Sequence, residues 1–415
     1  MRSPLGLIIF IAILLLIDYY IFQSVKTIYQ TYSINSKQLI GIVFWSVSSF
    51  NIITIVLFNL FSKNFSGNKF FTYLFSIVIG IIIAKIIAVL FFLVDDIRRI
   101  LQWGFVKTST IINPNTEQEA NISRSVFMSW LGIAASGTLF GTLLYGFKNK
   151  YSYQLRKEKL HFKNLPTAFR GLKILHISDI HAGSFLDKKD VELGIDLILK
   201  QQADLILFTG DLVNNAASEM KSYKDLFSLI KAPLGVFSVL GNHDYGDYVQ
   251  WPQDGISKEE NLNLLKQTHA EMGWNLLMNQ HQLLEKEGEK IAILGIENWS
   301  AKGNFPKYGD LKKAYEGSEK YPFKILLSHD PSHWHAQVRK DYKDIDLTLS
   351  GHTHGMQFGV ELPGFKWSPI QYVYKEWAGL YEELNAKLYV NRGFGFLGYP
   401  GRVGILPEIT LIELT

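Results

Sequence analysis

The first third of the chain is apolar almost without relief, whereas the rest alternates short apolar runs with amphipathic stretches. Pro4 to Phe22, Leu39 to Phe61, Phe71 to Val94 and Val126 to Phe147 are each close to the ~20 residues that a helix needs to cross a bilayer. An amphipathic helix of soluble type would carry charge along its outer face, and these segments do not. The pattern predicts a transmembrane domain of four helices over residues 1–147. The first span does not read as a cleaved signal, because its flank is almost uncharged and three more spans follow. Residues 148–165 are polar and strongly basic and end before Pro166, which reads as a juxtamembrane connector.

Beyond Pro166 the period changes. Lys173 to Ile177, Leu205 to Phe208, Val236 to Leu240, Ile291 to Gly295, Lys324 to Leu327, Leu347 to Leu349, Leu388 to Val390 and Ile409 to Leu414 are predicted strands. Lys188 to Gln201, Met220 to Ile230, Lys258 to Glu271 and Leu311 to Gly317 are predicted helices. Their alternation predicts an α/β domain over residues 166–415. Tyr245 to Ser257 and Trp299 to Asp310 are Gly-, Pro- and aromatic-rich loops placed to shape a cleft.

Composition adds little to this picture. A balance of 42 Lys plus Arg against 38 Asp plus Glu, net +4, gives no reason to expect a nucleic-acid partner. The chain has no Cys, so disulfides and thiolate ligands are excluded. Four spans put both ends of the chain on one side. That side holds Arg2, Lys63, Lys69, Lys148, Lys150, Arg156, Lys157, Lys159 and Lys163, against Lys26, Lys37, Arg98, Arg99, Lys107 and Arg124 on the other. The bias favours a multi-pass cell-membrane protein with a cytoplasmic C-terminal domain. Ser123 to Phe127 points the other way, resembling a twin-arginine export signal without its second arginine. Asp18 and Lys85 lie inside spans that cross in the same direction, each about 21 Å along its helix at 1.5 Å per residue. An unpaired charge at that depth is costly, so the two are expected to form an ion pair.

Five short segments carry the chemistry: SDIH (Ser178 to His181), GD (Gly210, Asp211), GNHD (Gly241 to Asp244), SHD (Ser328 to Asp330) and GHTH (Gly351 to His354). Each follows or nearly follows a predicted strand, and strand C-termini are where open α/β sheets place their sites. Two-residue spacing aims Asp179 and His181 to one side, and the same holds for His352 and His354. Asp211 offers two oxygens that can bridge two cations, Asn242 a neutral oxygen and His329 an imidazole. Such a donor set fits a two-metal centre that cleaves phosphate esters. His176 sits in an apolar strand and is expected to be structural, and His333 and His335 are expected at the surface.

The five segments, in this order, resemble the calcineurin-like metallophosphoesterase family from about Lys173 to His354. The lead-in LPTAFRGLKILHISDIH and the tail NRGFGFLGYPGRVGILPEITLI resemble a membrane-attached bacterial phosphodiesterase subgroup. The resemblance implies a four-layer α-β-β-α sandwich. It implies that Asp179, His181 and His354 bind one metal, that Asn242, His329 and His352 bind a second, and that Asp211 bridges them. It implies in-line attack by a hydroxide held between the metals. His243 then protonates the leaving group or stabilises the transition state, and Asp244 orients His243 through its other ring N–H. Imidazole and oxygen donors without thiolate suit two Mn²⁺ ions, with Fe or Zn²⁺ as alternatives. Arg402, in the Gly-rich tail, is expected either to contact a substrate phosphate or to form a structural ion pair. Phe394, Phe396, Leu397 and Tyr399 are expected to pack in the core, to line an acyl-chain groove or to rest on the bilayer. A phosphorylated small molecule or lipid is the expected substrate, with UDP-2,3-diacylglucosamine as the specific expectation from the subgroup. The competing readings are a catalytically silent sensor or scaffold, which predicts lost ligands, and a transporter, for which the spans hold few polar residues.

Overall fold

A computed structural model describes residues 4–65, 68–112, 123–252 and 255–415. Arg2, counted in the topology argument, lies outside these, as do Gln253 and Asp254 of the loop from Tyr245 to Ser257. The chain divides into two units, Met1–Tyr145 and Gly146–Thr415.

The first unit is built from α1 (Pro4–Tyr29), α2 (Ile34–Phe65), α3 (Lys69–Ile112) and α4 (Val126–Gly146). Among the described residues these four are long and apolar enough to cross a membrane. The expected ion pair is present: Lys85 Nζ lies 2.6 Å from Asp18 Oδ1, and Ser48 of α2 donates to the other carboxylate oxygen. The third helix runs well past the predicted end at Val94. Asp95 with Arg98 and Asp96 with Arg99 form (i, i+3) ion pairs that carry it onward as a polar helix. Arg124 is held in the same unit by Asp96, 3.2 Å away, and by Ser24.

The second unit holds two six-stranded mixed sheets. The first has the order β1 (Gln154–Leu160), β14 (Glu408–Leu414), β2 (Lys173–Ile177), β3 (Leu205–Phe208), β4 (Val236–Ser238), β5 (Asn275–Leu276). The second has the order β12 (Gly379–Glu383), β13 (Ala386–Val390), β9 (Leu347–Ser350), β8 (Lys324–Leu327), β7 (Glu289–Gly295), β6 (Gln280–Lys286). A separate hairpin pairs β10 (Val360–Leu362) with β11 (Phe365–Trp367). Helices α5 (Lys188–Leu199), α6 (Lys224–Phe227) and α7 (Lys258–Glu271) accompany the first sheet, and α8 (Leu311–Tyr315) and α9 (Arg339–Asp341) the second.

Why the central strands read as unbroken apolar runs is now clear, because both faces of each sheet are covered. Ile174, Leu205 and Leu207 meet Ile293, Ile325, Leu327 and Leu347 in the core between the sheets. Leu175, Ile206 and Phe208, on the opposite face, pack on Ile195, Phe227 and Leu265 of α5, α6 and α7. Ala292, Leu294 and Leu326 do the same with Leu311 and Ala314 of α8. The architecture is the α-β-β-α sandwich. Strands β2, β3 and β4 are parallel, as are β7, β8, β9 and β13, so their C-terminal ends gather at one edge.

Three local expectations differ from the structure. The basic stretch 148–165 contains β1, which pairs in parallel with β14 across its whole length; as an edge strand it tolerates the Lys and Arg that made it look like a linker. The predicted helix Met220 to Ile230 is instead a tight turn over Ala217–Ser222 followed by the short α6. There the Glu219 carboxylate gathers the N–H groups of Asn214, Asn215 and Ala216, which fixes a turn. His333 is not at the surface but fully buried, bonded to Ser328 and Gln337. His335 is only half-buried and faces Glu376.

Candidate metal centre

Each strand end delivers its side chain by an abrupt turn. Asp179, His181, Asp211, His352 and His354 all have φ between 50° and 68°, the left-handed region that L-residues seldom occupy. Strain of about 1–3 kcal/mol per residue persists only where surrounding structure enforces it, and it gathers at functional sites. Gly210, at φ 97°, lets the chain reverse beside Gly241 and places Asp211 between the two sheets.

The seven candidate donors converge. Asp211 Oδ2 lies 3.4 Å from His181 Nε2 on one side and 3.2 Å from His329 Nε2 on the other. His354 Nε2 is 3.2 Å from Asp179 Oδ1. Asn242 Oδ1 is 3.2 Å from His329 Nε2 and 2.8 Å from His352 Nδ1. All are buried or nearly so.

The far nitrogens of the rings are engaged, which orients the near ones inward. His329 Nδ1 meets the Thr209 carbonyl at 2.7 Å, and His181 Nδ1 meets Asn214 Oδ1 at 3.1 Å. His352 Nε2 meets the Tyr374 hydroxyl at 2.9 Å, which in turn donates to Asp330. Tyr248 accepts from Asn242 Nδ2 and so leaves Oδ1 facing inward. Asn214, Thr209, Tyr248 and Tyr374 carry no motif of their own; only the Asp211-to-Asn214 spacing could have drawn attention to one of them.

The residues fit cations. His181 Nε2 and His354 Nε2 are buried without a hydrogen-bond partner, and both point at carboxylates. Asp179, His181 and His354 form one group able to hold an ion, and Asp179, Asp211 and His329 another. Burial opposes charge on the Asp211 carboxyl, but the surrounding imidazoles, His329 foremost, hold it well below the usual carboxylate range. Burial also opposes charge on His329, yet the Asp211 carboxylate raises it to about 10.

Two expected roles change. Asp244 does not touch the His243 ring. Its carboxylate accepts four backbone N–H groups, from Gly241, Asp211, Leu212 and Val213, at 2.8–3.2 Å. The GD and GNHD turns are thereby tied together, and the His243 ring is oriented by the Asn214 carbonyl at 2.8 Å from Nδ1. Arg402 is likewise no phosphate contact. It is fully buried, donating to the carbonyls of Arg392, Gly393 and Gly395, with Nη2 3.3 Å from His354 Nδ1. A guanidinium with five donors suits this cluster of carbonyls left by the turning Gly-rich tail. Phe394 and Phe396 are buried in the core against the first sheet's helices.

Comparison with known proteins agrees with this geometry. Residues 172–356 match the calcineurin-like phosphoesterase family, and residues 1–150 match the probable calcineurin-like phosphoesterase transmembrane domain. The chain carries a calcineurin-like phosphoesterase domain behind a phosphoesterase transmembrane domain. The metallophosphoesterase is 29% identical to the uncharacterized metallophosphoesterase YkuE of Bacillus subtilis, over 71% of this chain and 98% of that one. It is 30% identical to a transmembrane protein with metallophosphoesterase domain of Danio rerio, over 61% of this chain but only 55% of that one. It is 28% identical to the phosphodiesterase YaeI of Escherichia coli, over 63% and 87% respectively. It is a metal-dependent phosphoric ester hydrolase, and its family works with two divalent cations. Its four helices make it a multi-pass membrane protein.

Proposed function

We propose that the enzyme cleaves phosphodiester or pyrophosphate bonds of a lipid-linked substrate such as UDP-2,3-diacylglucosamine, using two Mn²⁺ ions. Asp179, His181 and His354 would hold the first ion and Asn242, His329 and His352 the second, with Asp211 as a ligand shared by both. The carrying observation is the position of Asp211 Oδ2, within 3.4 Å of one imidazole from each set. Bound cations at such a site supply Lewis acidity toward the phosphoryl oxygens and lower the pKa of water. The protein supplies the rest. Asn214 O fixes His243 Nδ1–H, so the proton exchanged with the leaving oxygen is carried on Nε2. The His243 ring stands 5.0 Å from that of His181, at the edge of the metal pocket. Asp244 acts on the reaction only by fixing the backbone that carries Asp211. Phosphodiester cleavage is supported by the resemblance to the Escherichia coli phosphodiesterase, and a lipid-linked substrate by the four spans on the same chain.

The test is Mn²⁺-dependent hydrolysis of bis-p-nitrophenyl phosphate by the full chain, followed by a screen of lipid extracts. Asp211→Ala should abolish turnover and weaken metal binding at both positions. Unchanged turnover in that variant would overturn the assignment.

A further inference from the structure

The hairpin β10–β11 has its polarity inverted. In the sequence VELPGFKW, Pro363 and Gly364 (φ 78°) make the two-residue turn, and the register pairs Leu362 with Phe365, Glu361 with Lys366 and Val360 with Trp367. Alternation therefore puts Glu361 and Lys366 on one face and Val360, Leu362, Phe365 and Trp367 on the other. The charged face is the one fastened to the protein. Glu361 receives Arg156 and Arg392, each at 2.7 Å, and Lys366 donates to the Ala378 carbonyl at 2.5 Å. The apolar face looks outward: Val360, Leu362 and Phe365 are 42%, 61% and 56% exposed. Tyr372 and Val373, just beyond the hairpin, are exposed as well.

Where this face lies is fixed by hydrogen bonds inside the second unit. Gly146, the last residue of α4, accepts from Arg402 N at 2.9 Å. The next residue, Val403, is bonded to Gln357 O and to Gly359 N and bridges Phe358. Val360, the first residue of the hairpin, follows directly. The apolar hairpin thus springs from the segment bonded to the point where the chain leaves its last apolar span. It is also bracketed by the metal centre, with His354 before it and Tyr374, the partner of His352, after it.

We propose that the outward face of the β10–β11 hairpin, with Tyr372 and Val373, rests in the bilayer interface. A contiguous exposed apolar patch is an interaction surface, and here the partner in permanent reach is lipid. The inference rests on the membrane spans and the hairpin alone, and it stands whichever phosphate ester the site cleaves.

Because the natural chain lacks cysteine, single-cysteine labelling reads this directly. Full-length Leu362→Cys and Phe365→Cys proteins carrying an environment-sensitive fluorophore are placed in vesicles of phosphatidylethanolamine and phosphatidylglycerol, with or without doxyl-labelled lipid. Leu384→Cys serves as the control, being 89% exposed in the β12–β13 turn at the opposite end of the sheet from the metal centre. Strong doxyl quenching at 362 and 365, and little at 384, is the expected result. A Leu362→Glu/Phe365→Glu background should remove the quenching of a label at Val373→Cys, while the thermal melt shows that the fold is kept. Equal quenching at 362, 365 and 384, or quenching at 373 that survives the two glutamates, would overturn the proposal.

Discussion

Replacing Asp244 by Asn separates a structural carboxylate from a catalytic one. Each oxygen of Asp244 accepts two backbone N–H groups: Oδ2 those of Asp211 and Gly241, Oδ1 those of Leu212 and Val213. An Asn side chain keeps one oxygen and turns an NH₂ group toward the other pair of donors. Two buried N–H groups lose their acceptor, at about 1–3 kcal/mol each, for a total of about 2–6 kcal/mol. At roughly 2–4 °C per kcal/mol for a unit of this size, the melting temperature should fall by about 4–24 °C. Metal affinity should fall with it, because the released amide of Asp211 no longer fixes the Asp211 carboxylate. The assay is a thermal melt of the full-length protein with and without Mn²⁺, alongside bound-metal analysis and a pH–rate profile. If Asp244 only staples backbone, the variant is less stable and binds metal poorly, yet the pH dependence of its residual turnover is that of the parent. An unchanged melting temperature with a shifted pH profile would refute this reasoning and return Asp244 to the role of orienting His243.

Other outcomes follow from the same structure. In Gly351→Ala the new Cβ would collide with Ser178 Oγ and Asp179 Oδ2, so metal affinity, read by titration, should fall about 10–100-fold. Asp18→Ala leaves the partly buried Lys85 without its counter-charge and should destabilise the helical unit by about 3–5 kcal/mol at most in detergent melts, leaving hydrolysis of bis-p-nitrophenyl phosphate intact. The buried His269 is lowered from 6.5 to about 3 by desolvation, so it takes up a proton more readily unfolded than folded. Its contribution is full above pH 6.5 and is lost as pH falls toward 3, by about 1.4 kcal/mol per unit. His269→Phe should therefore flatten the acid slope of denaturant stability by one proton, and an unchanged slope would count against it.

The metal-bearing half of the fold was legible because its strands are covered on both faces. They appear as compact apolar runs, each ended by its motif, and the donors leave at the ends. Legibility failed where a residue's partners are backbone atoms. Nothing in GNHD shows that the Asp244 oxygens answer amides of the GD turn, some thirty residues earlier. Nothing in the tail shows that Arg402 answers carbonyls of Arg392, Gly393 and Gly395 rather than phosphate. Edge elements were missed for the opposite reason. The basic β1 has no apolar face to announce it, and β10–β11 alternates as an ordinary strand would, but with its apolar side turned away from the core.

The position of β14 bears on how the protein is made. It lies between β1 and β2, parallel to one and antiparallel to the other, and Thr415 N bonds Leu160 O across 255 positions of sequence. While the chain is being synthesised, β1 therefore has no strand to pair with until residues 408–414 are free. Such long-range pairing is slow. A chain cut short before β14 leaves β1 without its ladder and β2 without one of its two neighbours, open to proteases and chaperones.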